Sequence, residues 1–207
     1  MALTTYSELK TSIADFLNRD DLTAVIPDFI TLAEKGMNKR IRHWQMEKRS
    51  QANINAQYSS LPVDFIEPVR LTLTGGDTHV LQLTNAYEIA KLRAANNNSA
   101  GRPTDYVLLD GSIEVFPTPD TTYQLEILYY STLNPLNNSN ASNWILSNHP
   151  EAYLYGSLLH SAPYLQEDQR LAAWASLYES AISAINEEND NSKAYAAGAS
   201  IRIRSYG

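Results

Sequence analysis

The sequence predicts an α+β fold. Two N-terminal and two C-terminal helices form a helical bundle, with an antiparallel β-region of five or six short strands and one short helix inserted between them, and an extended C-terminal tail. Three observations predict it. Residues 5–43 and 149–187 carry apolar side chains at helical spacing. Residues 50–133 switch to alternation interrupted by Gly, Pro and Asn turn signals. Past Glu188 both patterns stop, and the chain turns small, then basic. The expected organisation is one domain over 1–188 followed by an arm over 189–207.

Helix 5–18 opens on a capping box, Thr5 with Glu8, and Tyr6, Leu9, Ile13, Phe16 and Leu17 form its apolar stripe. Helix 25–43 carries Val25, Ile26, Phe29, Ile30, Ala33, Met37 and Ile41. Pro27 belongs in its first turn, because deeper inside it would cost about 3 kcal/mol. Asp28 early and Lys35, Lys39, Arg40 and Arg42 late match the helix macrodipole. That basic end reads as a solvated face, with a DNA- or partner-facing ring as the sharper alternative. Gly36 in mid-helix costs about 1 kcal/mol against alanine, which suggests a close helix contact.

Next comes a half-buried strand with Ala52, Ile54, Ala56 and Tyr58 alternating, ended by Leu61-Pro62. Strand 65–74, the turn Gly75-Gly76-Asp77 and a returning strand 79–83 form a hairpin. Asn85 with Glu88 caps a short helix to about Ala95, and a polar loop follows. Strands 105–109 and 112–116 flank Asp110-Gly111, a pair suited to a type I′ turn. Strand 122–131 places Tyr123, Leu125, Ile127 and Tyr129 on one face. Asn148 and Pro150 ahead of Glu151 signal the start of helix 149–164, with Tyr153, Leu154, Ser157, Leu158 and Ser161 along one side. Helix 167–187 carries Leu171, Trp174, Leu177, Tyr178, Ala181, Ile182 and Ile185.

At 207 residues and 43% hydrophobic content, the chain is long enough for a sizeable core. A formal charge of -7 argues against gripping nucleic acid over the whole surface, yet suits a wall past which DNA slides. The absence of cysteine excludes disulfides, Fe–S clusters and thiol nucleophiles. The start, MALTTYSELK, does not read as a signal peptide, and no run approaches the roughly 18 apolar residues of a membrane span. The chain reads as soluble and made in a cytoplasm. The sequons at Asn97 and Asn140 read as chance in Asn-rich loops.

Catalytic, metal and cofactor motifs are not found. His43, His79, His149 and His160 are scattered without ligand spacing. Tyr155-Gly156-Ser157 lacks the second glycine and the strand–turn–helix context of a nucleophile elbow. Glu114 with Asp120, or Glu167 with Asp168, could be cast as a glycosidase pair, but nothing singles them out and they read as solvated loop acids. Thirteen tyrosines are many for this length, and Tyr129, Tyr130, Tyr153, Tyr155, Tyr164 and Tyr178 gather near the last strand and last helices. Tyrosine suits both polar core rims and interfaces. In the tail, Ile201-Arg202-Ile203-Arg204 alternates as an edge strand would, flanked by Tyr195 and Tyr206. Such segments add to partner sheets, so the tail reads as a partner-binding arm, with plain disorder of a free terminus as the alternative. Extended, residues 189–207 would reach about 60 Å at ~3.3 Å per residue.

The chain resembles the head-to-tail adaptor (head-completion, connector) proteins of tailed bacteriophages. The likeness rests on TYSELKTSIADFLNRDDLTAVIPDFITLAEKGMNKRIR, the Leu61–Phe65 turn into a strand, the lead from Gly101-Arg102-Pro103 to Tyr106, the Ile113–Pro117 and Leu125–Tyr130 strands, and HPEAYLYGSLLHSAPYLQEDQRLAAWASLYESAI. It implies a virion protein of the neck that forms a ring, commonly of twelve subunits, under the portal protein. Such a ring continues the channel through which double-stranded DNA passes without specific binding, and presents a platform to tail or nozzle proteins. It further implies that the C-terminal segment docks on the portal, here through Tyr195, Ile201, Arg202, Ile203, Arg204 and Tyr206. No enzymatic activity, cofactor, metal or membrane is implied. Two other classes stand beside this one: a tail-associated peptidoglycan hydrolase working through a carboxylate pair, and a small DNA-binding protein.

Overall fold

The computed structural model describes residues 3–19, 21–165 and 169–196, the last three as helical backbone. In chain order the elements are α1 (Tyr6–Leu17), α2 (Ile26–Arg40), β1 (Glu47–Ile54), β2 (Tyr58–Ser60), β3 (Phe65–Thr74), β4 (His79–Val80), β5 (Gln82–Leu83) and α3 (Ala86–Ala95). There follow β6 (Asp105–Leu109), β7 (Ser112–Phe116), β8 (Tyr123–Ser131), α4 (Trp144–Asn148), α5 (Pro150–His160) and α6 (Arg170–Ala196). The stretch read as one domain, 1–188, divides into two compact units. Met46–Thr132 form one, and the segments before and after it form the other.

The helical unit follows its sequence signals closely at the start. The Thr5 hydroxyl accepts from the Glu8 N–H at 3.3 Å while the Glu8 carboxylate accepts from the Thr5 N–H at 2.9 Å. Asn18, at φ 51°, ends α1 in the left-handed region that asparagine tolerates. Tyr6, Leu9, Ile13 and Leu17 are buried, whereas Phe16 is exposed. Pro27 lies in the first turn of α2, and Phe29, Ile30, Ala33 and Met37 are buried along it. Each such fully buried aliphatic or aromatic side chain contributes on the order of 1.5–3 kcal/mol.

The C-terminal helices differ from expectation in two ways. The start signal at Asn148 is not used as a cap. Asn143 caps α4 instead, accepting from the Leu146 N–H at 3.0 Å, and Asn148 is the last residue of α4. The proline at 150 forces this break, because a residue before proline is pushed out of the helical region; His149 sits at φ -135°, ψ 57°. At the other end, α6 does not stop near residue 187 but runs on to Ala196, so residues 189–196 are helical, not extended. The buried stripe Trp174, Tyr178, Ala181, Ile182 and Ile185 continues to Asn189, and neither glycine nor proline interrupts it. Leu177, expected on that stripe, is exposed.

Gly156 is where three helices meet. A Cβ built there would lie 2.9 Å from Cε2 of Tyr178 and 3.2 Å from Cβ of Ala33, so α5 needs glycine for its approach to α2 and α6. Gly36, the glycine that suggested a close contact, has room: its nearest neighbour would be the Tyr178 hydroxyl at 3.5 Å. Gly156→Ala is therefore expected to lose about 1–2 kcal/mol in spite of its better helix propensity. Gly36→Ala is expected to gain up to about 1 kcal/mol. Urea denaturation of the full-length variants measures both.

The inserted unit holds two four-stranded sheets, ordered β1-β8-β3-β4 and β2-β7-β6-β5. Eight short strands thus replace the five or six expected, and all pairings are antiparallel except β5 with β6, which is parallel. The chain changes sheets four times, after β1, β2, β4 and β7. The first strand begins at Glu47, five residues before the predicted alternation, and gives way after Ile54 to β2 in the other sheet. The predicted return strand 79–83 breaks at Leu81, whose N–H donates to Leu71 O (2.9 Å), while that of Gln82 donates to Thr104 O (2.8 Å). Ile54, Leu71, Leu73, Leu81, Tyr106, Ile113, Val115, Leu125, Ile127 and Tyr129 form one core cluster. The predicted face of the last strand is therefore the inward one. Of the first predicted alternation, Ile54 alone is buried: Ala56 lies past the end of β1, and β1 and β2, which hold Ala52 and Tyr58, are end strands of different sheets. Pro68 is tolerated within β3 because β4 pairs only at Thr72 and Leu73, and two register shifts flank it. The Asp110-Gly111 connection is tight as predicted, but only Gly111 takes a positive φ (65°), so it is not type I′.

Candidate interaction surfaces

In the helical unit, a buried carboxylate organises the packing. Glu34 on α2 accepts from the Leu136 N–H at 2.7 Å and from the Tyr153 hydroxyl at 3.1 Å. Asn143 in turn donates to the Tyr153 oxygen at 2.5 Å. Burial pushes the Glu34 carboxyl above the usual carboxylate range, against the pull of its two donors. Burial and the nearby Glu34 charge hold the Tyr153 phenol well above its ordinary value, so it stays a donor.

A second cluster holds the far end of α6. The Trp44 N–H donates to Asn189 Oδ1 at 3.0 Å, and Asn189 is buried. His43 stacks on Trp144 with ring centroids 4.7 Å apart, and His149 meets Trp144 edge-on. His149 Nε2 lies 3.3 Å from the Glu188 carboxylate and Nδ1 3.8 Å from that of Glu151. His43 is buried, its Nδ1 accepting from the Gln45 N–H, and its Nε2 has no hydrogen-bond partner. Burial holds that imidazole below its usual pKa, so it is neutral at physiological pH. Two of the four histidines read as scattered thus converge with two tryptophans on the last anchored turn of α6. Of the proposed arm, Tyr195 falls on the helical backbone of α6, while Ile201, Arg202, Ile203, Arg204 and Tyr206 lie outside the described residues.

In the inserted unit, Arg93 of α3 reaches over the outer face of β7. It donates to the Glu114 carboxylate (3.0 Å), Val115 O (2.8 Å), Thr118 Oγ1 (2.9 Å) and Asn98 Oδ1 (3.3 Å), and its guanidinium lies over the Phe116 ring. Ile89, Val107 and Phe116 form the small apolar cluster beneath it. Tyr129, buried and bonded to Asp64 at 2.8 Å, has its phenol pushed up to about 12.

The carboxylate pair considered for glycoside chemistry has other partners here. Glu114 is held by Arg93 and Gln57, and Asp120 accepts from the Tyr123 hydroxyl at 2.7 Å. Glu167 and Asp168 lie outside the described residues. Among the described residues no three His, Cys, Asp or Glu side chains gather as a metal site, and no helix is long and apolar enough to cross a membrane. At the basic end of α2, Arg40 makes a two-pronged contact with Glu179, and Arg42 donates to the carbonyls of Asn38 and Ile41. Arg42 thereby closes off the end of α2, while Arg40 ties α2 to α6.

None of these clusters was visible as a motif. Only Asn189, in phase with the α6 stripe, left a signal that sequence reasoning could have used.

Helices tied through buried polar clusters, with an inserted pair of sheets, define a protein of the α+β class. A model described as SU10 adaptor protein matches residues 4–204, and the chain belongs to that family of bacteriophage structural adaptors. No curated protein matches it.

Proposed function

We propose that the chain is the head-to-tail adaptor of a tailed phage virion. It forms a ring beneath the portal, commonly of twelve copies in such adaptors, extends the DNA channel and presents the platform on which tail or nozzle proteins assemble. The observation that carries this reading is the family match over nearly the whole chain. The charge of -7 fits a channel wall that repels phosphate and so limits sticking during DNA passage. The anchoring of α6 at Asn189 by the Trp44 N–H supports a further part of the reading. The helix ends close to a segment, 201–206, whose Ile/Arg alternation suits strand addition to the portal. The working part of the arm is thus shorter than the expected 189–207. No catalytic step, cofactor or metal is assigned.

Deleting residues 197–207 tests the arm. The truncated protein is expected to keep its fold by circular dichroism and to lose joining to filled heads. If it still joins at the wild-type level, the arm does not dock on the portal. The isolated full chain is expected to sediment as a monomer or small oligomer, with the ring forming on the portal. A stable ring of the isolated protein in analytical ultracentrifugation would overturn that order of assembly.

A further inference from the structure

The two edges of the inserted unit differ in a way that suits contact between copies. On one side, β1 and β2 are the end strands of their sheets and do not pair with each other. Between them opens a groove of about 250 Å³, walled by Ala52, Ser60 and Pro62 and floored by Ile113, Leu125 and Ile127. A cavity of ~150 Å³ already holds a benzene ring, so this space admits a large apolar side chain. On the opposite side, β4 and β5 end the same two sheets. The segment running through them to the start of α3 leaves Val80, Leu83 and Tyr87 exposed, Tyr87 at 75%.

We infer that these edges form the subunit interface of the ring: the apolar segment Val80–Tyr87 of one copy seats in the β1/β2 groove of the next. This rests on the ring reading above. Donor and acceptor surfaces are different patches on opposite edges, so the contact is heterologous. It repeats from copy to copy and closes only by rotation, as a ring does. It covers β1, an eight-residue edge strand that would otherwise stand open to unwanted pairing.

The chain has no cysteine, which makes the test direct. Ala52→Cys and Leu83→Cys are combined in the full chain, assembled on portals and treated with a short bismaleimide. Both positions are exposed, so neither change disturbs the core. A ladder of covalent oligomers ending at the full ring is expected from the double variant, and no ladder from either single variant. Tyr87→Asp in the otherwise native chain is expected to raise the concentration needed for ring assembly about tenfold or more. If rings on portals are seen by electron microscopy but the double variant does not cross-link and Tyr87→Asp assembles normally, the interface lies elsewhere and the ring reading stands. A covalent dimer from a single variant would show an isologous contact and overturn the proposal. If wild-type protein forms no ring on portals, the ring reading itself fails.

Discussion

Glu34→Ala is expected to lower the stability of the helical unit by about 3 kcal/mol, leaving the Leu136 N–H and the Tyr153 hydroxyl buried without their acceptor. The cost combines two unmet donors with the space left by the lost side chain. Glu34→Gln separates hydrogen bonding from charge. Its amide oxygen can still accept from both donors, so most of the loss should be recovered. The pH dependence gives a second readout. A carboxyl whose folded pKa is raised holds more protons in the folded than in the unfolded state, over the range between the ordinary value and the raised one. Wild-type stability should therefore fall as pH rises through that window, and Glu34→Gln should lack this component. Trp44, Trp144 and Trp174, the only tryptophans, all belong to the helical unit, so tryptophan fluorescence during urea unfolding reports this unit alone. A Glu34→Ala midpoint equal to wild type would show that the two donors find other partners.

Arg93→Ala is expected to cost the inserted unit about 3 kcal/mol. One guanidinium serves four acceptors, on the loop after α3, on β7 and on the loop after β7, and its partner Glu114 is mostly buried. Removing the cation leaves that carboxylate with Gln57 alone and Val115 O without its donor. Arg93→Lys keeps the charge but cannot fork to several acceptors at once, and should recover less than half of the loss. Far-UV circular dichroism of the β signal measures the effect, with tryptophan fluorescence unchanged. Loss of the fluorescence transition in step with the β signal would mean that the units unfold together.

The helices were legible because their information is local. Thr5 with Glu8, Pro27 and the spacing of Leu9, Ile13 and Leu17 specify α1 and α2 without reference to any other element. The face of β8 was legible for the same reason, since alternation alone sorts Leu125, Ile127 and Tyr129 inward. The end of α6 was misjudged because Asn189 counted as a polar residue. Its burial depends on the backbone of Trp44, 145 positions away. The change of sheet at Leu81 was hidden because HVLQL alternates as well for one strand as for two half-strands. Only Leu71 O and Thr104 O decide which sheet each half joins.

The sequence by itself determined the α+β class, the starts of the first three helices, the inward face of the longest β-pattern and the likeness to a phage adaptor, because these are written in short-range periodicity and in the order of motifs. The tertiary structure alone decided that the chain forms two units. It also decided that the β-region is two sheets with open opposite edges, that Gly156 and not Gly36 is the close-packed glycine, and that Glu34 and Arg93 each gather several partners. Those features depend on groups brought together from distant parts of the chain, and no local pattern records which distant atom will supply a hydrogen bond or occupy a Cβ position.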